Sequence, residues 1–382
     1  MIALALVLLL TGQAPQGAPA AVSRSGLSAA IDQLGSLEFP VRTEASRVVR
    51  RTPPAQAVPA LIEAAASHRD GYVRFRALVL LTGFNDARAE TLMLQLLKDP
   101  NDRVRTVAYG WFGEHRNPDA LAVMLDALDD EASEFVRPTL TRAVAAYDTP
   151  EVKKAMAALV LKGQDFFRSI VIEALGDQRA TYAIDEIAGV ARLDGPLQDD
   201  AVLAIGKMGD TSRLALLAEL QRSAPRENQP VIAAAICLLG VNCGAHERYL
   251  AEMLAFAIEN PDYQPMLRGA ANGLAALAVA GRPSALETLV DAGLPSRDPA
   301  RAAIALALGT VALRNTSALL DWTAGRDDAQ AVAELLRESF DMLEEDLEEE
   351  RFYATVRRRY WQAPDGSALK RAAETLIRVL EF

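Results

Sequence analysis

Apolar residues return at i and i+4 in block after block, and the blocks return every 30 to 36 residues. Val41-Arg42, Val73-Arg74, Val104-Arg105, Val136-Arg137 and Phe167-Arg168 align with Leu197-Gln198, Val231-Ile232, Leu267-Arg268 and Ala300-Arg301. Ala329-Gln330 and Leu369-Lys370 head two weaker copies. Four residues after the anchor come Ala45, Ala77, Ala108, Leu140, Val171, Ala201, Ala235, Ala271 and Ile304, which puts both apolar positions on one helix face. Nine residues after it stands a mostly small residue: Thr82, Gly113, Ala145, Gly176, Gly206, Gly240, Ala276 and Gly309. Glycine in that column is expected to close the helix in the left-handed conformation. Arg50 breaks the column, as an atypical terminal copy would.

A second apolar helix is predicted between successive anchors, over 57–65, 91–98, 120–128, 152–161, 184–190, 214–220, 249–257 and 286–292. Pro54, Pro118, Pro150 and Pro283 stand near the starts of four of these, where a missing N–H costs nothing. No segment alternates with the period of two that a strand needs. The predicted fold is therefore all-α: an α-solenoid, or superhelix, of about eleven helical hairpins, which grows by stacking rather than by enlarging one core.

The string Asp102-Arg103-Val104-Arg105-Thr106-Val107-Ala108, and Asp165 to Val171 followed by Leu175-Gly176, resemble the D-x-V-R-x-x-A … L-G consensus of HEAT repeats. The likeness is to the short bacterial, phycobilin-lyase-type form, and covers about residues 25 to 325 well. It implies an open array with an extended concave surface, and is weak evidence for function. HEAT-like hydroxylases carry several His-Glu dyads on two irons; this chain has one, His246-Glu247, and His68 and His115 lack a following Glu. HEAT-like DNA-repair proteins use an aromatic, acidic cleft, which Trp111, Trp322 and Trp361 in separate copies do not define. Likeness to the lyases stops at the repeat and includes no pigment site.

Composition narrows the remaining classes. The 382 residues are 51% hydrophobic and 24% charged, too apolar for a disordered chain. A net charge of −11 argues against nucleic acid, whose binders present basic surface. Only six of the 40 basic residues are Lys, the usage of a GC-rich bacterial genome. No nucleophile elbow, phosphate loop, dinucleotide fingerprint or H-E-x-x-H string occurs. No catalytic, metal or cofactor residue is assigned. Carboxylate pairs stay open, because 51 acidic residues hide any one of them.

Arg follows the anchor at 42, 74, 105, 137, 168, 268 and 301, with Asp70, Asp102, Glu134, Asp165 or Asp298 close before several of them. This ladder is read as structural, each Arg tying its own turn or the next. Arg47, Arg76 and Arg142 lie outside it and, with Arg105, make the expected binding surface. Asp341 to Glu350 carries seven acids in ten residues, and Phe340, Leu343 and Leu347 suggest one continuous apolar helix face. Such a helix either caps the array or offers its acids to a basic partner.

Residues 1–20 begin MIALALVLLL, reach Ala18-Pro19-Ala20 without a charged side chain, and read as a signal peptide too short to span a membrane. The domain plan is thus 1–20 leader, 21–325 repeat array, 326–382 divergent repeats and capping helices. In an oxidising compartment Cys237 and Cys243 can pair; two separate thiols remain the alternative. The expected function is a non-enzymatic protein-interaction scaffold, periplasmic or secreted, with a protein partner, no nucleic acid and no membrane span. The alternatives are a cytoplasmic location and an enzyme or cofactor-handling protein with an unrecognised carboxylate site.

Overall fold

The structure, a computed structural model, describes residues 22–131, 133–343 and 345–382; the expected leader lies outside them. Among the described residues are 22 α-helices and no strand. The first eleven are α1 (Arg24–Gln33), α2 (Phe39–Arg51), α3 (Pro54–Ser67), α4 (Gly71–Phe84), α5 (Glu90–Leu96), α6 (Asp102–Glu114), α7 (Pro118–Asp130), α8 (Arg137–Ala145), α9 (Pro150–Val160), α10 (Asp165–Asp177) and α11 (Ile184–Ala191). The rest are α12 (Gln198–Met208), α13 (Leu214–Ser223), α14 (Gln229–Leu238), α15 (Cys243–Glu259), α16 (Gln264–Val279), α17 (Pro283–Gly293), α18 (Ala300–Arg314), α19 (Thr316–Thr323), α20 (Ala329–Leu343), α21 (Asp346–Gln362) and α22 (Ala368–Val379).

Every repeat anchor lies at the start of an even-numbered helix, and these eleven helices stack one on the next from α2 to α22. The odd-numbered helices up to α19 form the second layer, and the apolar core runs as a seam between the two. The chain is an all-α solenoid. Asp70, Asn101 and Thr149 cap α4, α6 and α9 by accepting from backbone N–H groups of the first turn. Pro54, Pro118, Pro150 and Pro283 stand in the first turn of α3, α7, α9 and α17, as their sequence positions predict.

The small-residue column plays a different part from the one expected. Gly113, Gly176 and Gly206 are ordinary helical residues, and of the column only Gly240 has a positive φ, +83°. A Cβ on Gly176 would sit 2.8 Å from the Ala204 Cα, and one on Gly206 only 2.7 Å from the Ala235 Cα. Glycine is there so that successive inner helices can touch backbone to backbone. The alanine column serves the same packing: Ala77, Ala108, Ala201, Ala235 and Ala271 are wholly buried.

The last units depart from the pattern. α20 and α22 extend the stack, whereas α21 packs against α4, far away in sequence. Phe340 and Leu343 belong to α20, which ends at Leu343, and Leu347 to α21, which begins at Asp346, so the three do not line one continuous helix. Among the described residues no single helix is long and apolar enough to cross a membrane; one bent pair, Ala300–Arg314 with Thr316–Thr323, passes by length and composition only.

Candidate functional site

Helix α21 lies along the inner face of the array and touches α2, α4 and α6 near the start of the chain. Glu350 accepts from Nε of Arg50 on α2 at 2.9 Å and from Nη2 at 2.6 Å, with the two side chains only 6% and 1% exposed. Asp346 pairs with Arg76 on α4. Leu347 fills the space above Gly110 on α6, which any side chain there would occupy. Arg351 donates to the Gly110 carbonyl at 2.7 Å and pairs with Glu114 at 3.2 Å. Glu345, just before the helix, reaches Arg142 on α8 at 3.7 Å. The solenoid is wound tightly enough that its concave surface is filled by its own C-terminal segment.

The groove continues past the start of α21 as a network of charges. Arg314 on α18 reaches across to Glu173 and Asp177 on α10 at 3.6 and 3.9 Å. Burial alone would push the Glu173 carboxyl up, but Arg142, Arg314 and Lys207 outweigh it and hold the group below its ordinary value. Burial likewise opposes the charge on Arg314, yet Glu173 and Asp177 keep its pKa raised. Glu173, Asp177 and Asp200 line a cavity of about 180 Å³ here, with Lys207 and Arg314 beside them. Neighbouring Asp199 is pushed up to about 6 by burial and by Asp200. Among the described residues no group of three or more His, Cys, Asp or Glu side chains is placed to hold a metal ion.

Residues 27–109 and 89–176 match the family model described as HEAT repeats. Residues 27–176 carry HEAT repeats. No curated protein matches the chain by sequence. Solved structures align with it at low identity. The YibA protein of E. coli is 14% identical, with a TM-score of 0.42, over 58% of this chain and 83% of its own. The CpcE–CpcF complex of phycocyanin lyase from Nostoc is 17% identical, with a TM-score of 0.42, over 66% and 94%. Yeast importin-beta is 14% identical, with a TM-score of 0.40, over 92% and 56%.

Within the HEAT array the ladder arginines work mainly on helix ends. Arg74 donates to the Ala65 carbonyl at 3.1 Å, Arg105 to Asp99 at 2.8 Å, Arg168 to Val160 at 2.9 Å and Arg301 to Leu294 at 3.1 Å. Each guanidinium thus meets carbonyls left open at or just beyond the end of the preceding helix, where the helix dipole favours a cation. Arg42 does the same for Ser36 and Leu37. Gln198 and Gln229 replace Arg in that task, donating to Ala191 and Ala224. Arg74, Arg105 and Arg301 pair with acids further along the chain, Asp99, Glu131 and Glu338; Arg168 pairs with Asp165 in its own turn. Arg137 instead lies 4.1 Å over the ring of Phe167. Arg268 is on α16 with no partner among the described residues.

The four arginines chosen from sequence as a binding surface do not share one. Arg76 and Arg142 face the groove and are engaged by Asp346 and by Glu345 and Glu173. Arg105 sits in the ladder on Glu131, and Arg47 pairs with Glu44 on α2. Cys237 and Cys243 are placed as a bonded pair, with Cα atoms 4.5 Å apart. His246 and Glu247 serve no common site: Glu247 pairs with Arg282 and accepts from Ser284, while burial pulls the imidazole of His246 down. Sequence reasoning passed over Arg50, Glu350, Arg314 and Glu173. For Arg50 there was a signal, its place in a column otherwise held by small residues.

Proposed function

We propose that the chain is a non-enzymatic protein-binding scaffold whose groove α21 occupies in the resting state, and that it acts in the periplasm or outside the cell. The observation that carries the reading is α21 itself. The groove already holds a helix with acids at its start, Asp346 on Arg76 and Glu350 on Arg50, and apolar residues, Leu347 and Phe352, on its buried side. A partner presenting the same pattern competes for the same groove, so α21 sets the threshold for binding. The export part rests on residues 1–20 and on the cysteine pair.

The test compares the full chain with a Leu347→Asp, Glu350→Gln variant, in which α21 is undocked. Both are tagged, cross-linked in the host and purified. A protein enriched by the variant over the parent, and displaced by a synthetic peptide spanning 345–362, supports the scaffold. Equal, partner-free recoveries from both forms sink it. Intact mass of the recovered chain decides location separately: a start at Ala21 supports export, and an uncleaved cytoplasmic chain overturns that part alone.

A further inference from the structure

The two ends of the array meet at a second feature that the groove reading does not use. Where α2, α21 and α22 converge there is a cavity of about 530 Å³, within the range of small-molecule sites. Five arginines line it against one glutamate, Glu374. Three are engaged: Arg47 by Glu44, Arg50 by Glu350, and Arg378 by the neutral Gln330 side chain at 2.5 Å. Glu374 sits exposed one turn from Arg378 on α22. That leaves Arg51 and Arg357. Arg51 is exposed and has no partner among the described residues, and Arg357 donates only to the backbone carbonyl of Arg50. Burial, with Arg50 and Arg51 nearby, pulls the Arg357 pKa below its ordinary value despite Glu350, so its charge is under-compensated. The wall that α21 supplies beside Arg357 is aromatic. Tyr360 and Trp361 meet edge to face at 5.1 Å; Lys370 lies 4.9 Å over the ring of Tyr360, whereas Trp361 is 53% exposed.

We propose that this cavity is a binding site for a small organic anion, with a phosphate or carboxylate held by Arg51 and Arg357 and a flat apolar body laid against Trp361. Guanidinium groups form paired, charge-assisted bonds to such oxyanions, and an indole face accepts a ring. Because Arg51 belongs to the first repeat and Arg357 to α21, the anion also ties the two ends of the array together.

Phenyl phosphate is the probe, titrated into the full chain and read by tryptophan fluorescence, with calorimetry as a second measure that needs no indole. Phenol supplies the ring alone and inorganic phosphate the head alone. The expected result is a saturable quench that disappears in Trp361→Phe, although Trp111 and Trp322 remain. Arg51→Gln, at an exposed position where folding is untouched, weakens calorimetric binding about tenfold or more, and Arg357→Gln does the same. Arg192→Gln, on a distant helix end, leaves it unchanged. Binding that does not saturate, that phenol matches, or that survives both Arg51→Gln and Arg357→Gln within about twofold overturns the site. Neither result bears on the groove, whose test reads a protein partner.

Discussion

Replacing Glu350 with Gln tests whether the array is closed by α21. Both partners of the Arg50–Glu350 pair are almost fully buried, and two N–H donors of one guanidinium converge on one carboxylate at 2.9 and 2.6 Å. Glutamine keeps the volume and one acceptor but leaves the guanidinium without its counter-charge; removing one member of such a pair costs roughly 3–5 kcal/mol. In a repeat array that cost does not spread over the whole chain, because each unit senses mainly its neighbours. It falls on the contact of α21 with α2 and α4. A loss of roughly 3 kcal/mol is roughly two decades in an opening equilibrium, so amides of α21 exchange with deuterium about a hundredfold faster. Peptides from α12 and α14, which pack against other inner helices and make no extensive contact with α21, keep their rates. Hydrogen-exchange mass spectrometry reads both in one experiment. The double variant Arg50→Met, Glu350→Leu recovers most of the loss, because an apolar pair of similar size needs no desolvation. The reasoning is falsified if α21 accelerates less than about fivefold, or if α12 accelerates as much as α21.

Four further outcomes follow from the same geometry. Gly83→Ala puts a Cβ 2.5 Å from the Glu350 Oε1, so it loosens α21 by steric means, with the same exchange pattern and no change of charge. Gly206→Ala drives a methyl group into the backbone of α14, 2.7 Å from the Ala235 Cα, and lowers stability by about 1–3 kcal/mol in chemical denaturation, centred on α12 and α14. Arg142→Gln breaks two longer, partly exposed pairs at 3.5 and 3.7 Å and costs below about 1 kcal/mol, a contrast with Glu350 that the same exchange experiment measures. Glu349 gives a pH dependence: burial, then Asp346, push its carboxyl from 4.5 up to about 7. An acid with a raised folded pKa binds its proton more tightly when folded, so its contribution is complete below about 4.5 and is lost as pH rises through about 7. Glu349 therefore pulls the melting temperature down across that window, and Glu349→Gln removes that part of the pH dependence; an identical dependence in the variant refutes the assignment.

The repeats could be read from sequence because each is specified locally. An anchor, an alanine four residues later and a proline at the next helix start are all separated by less than one unit, so one linear pattern determines both helices and their contact. The glycine column shows the limit of that reading. Its position was visible, but whether glycine closes a helix or lets two helices touch depends on the distance to the next inner helix, and 2.7 Å to Ala235 decides for touching. The groove lies further beyond reach. Arg50 and Glu350 are 300 residues apart, and they meet only because small rotations between ten successive inner helices add up to a tight superhelix. No local pattern carries that sum. What the sequence did carry was composition on both sides of the contact: an acid-rich segment from 341 to 350, and arginines at 76 and 142 that the ladder left over. The arginines were assigned to an outside partner and the acids to a cap or a basic partner, when Arg76 and Arg142 meet Asp346 and Glu345 of that same segment. An unpaired charge excess in a long repeat array is therefore worth matching first against the chain's own distant ends. Arg50, a charged side chain in a column of small ones, is where that match begins, since burying a guanidinium among close-packed helices requires a carboxylate from somewhere.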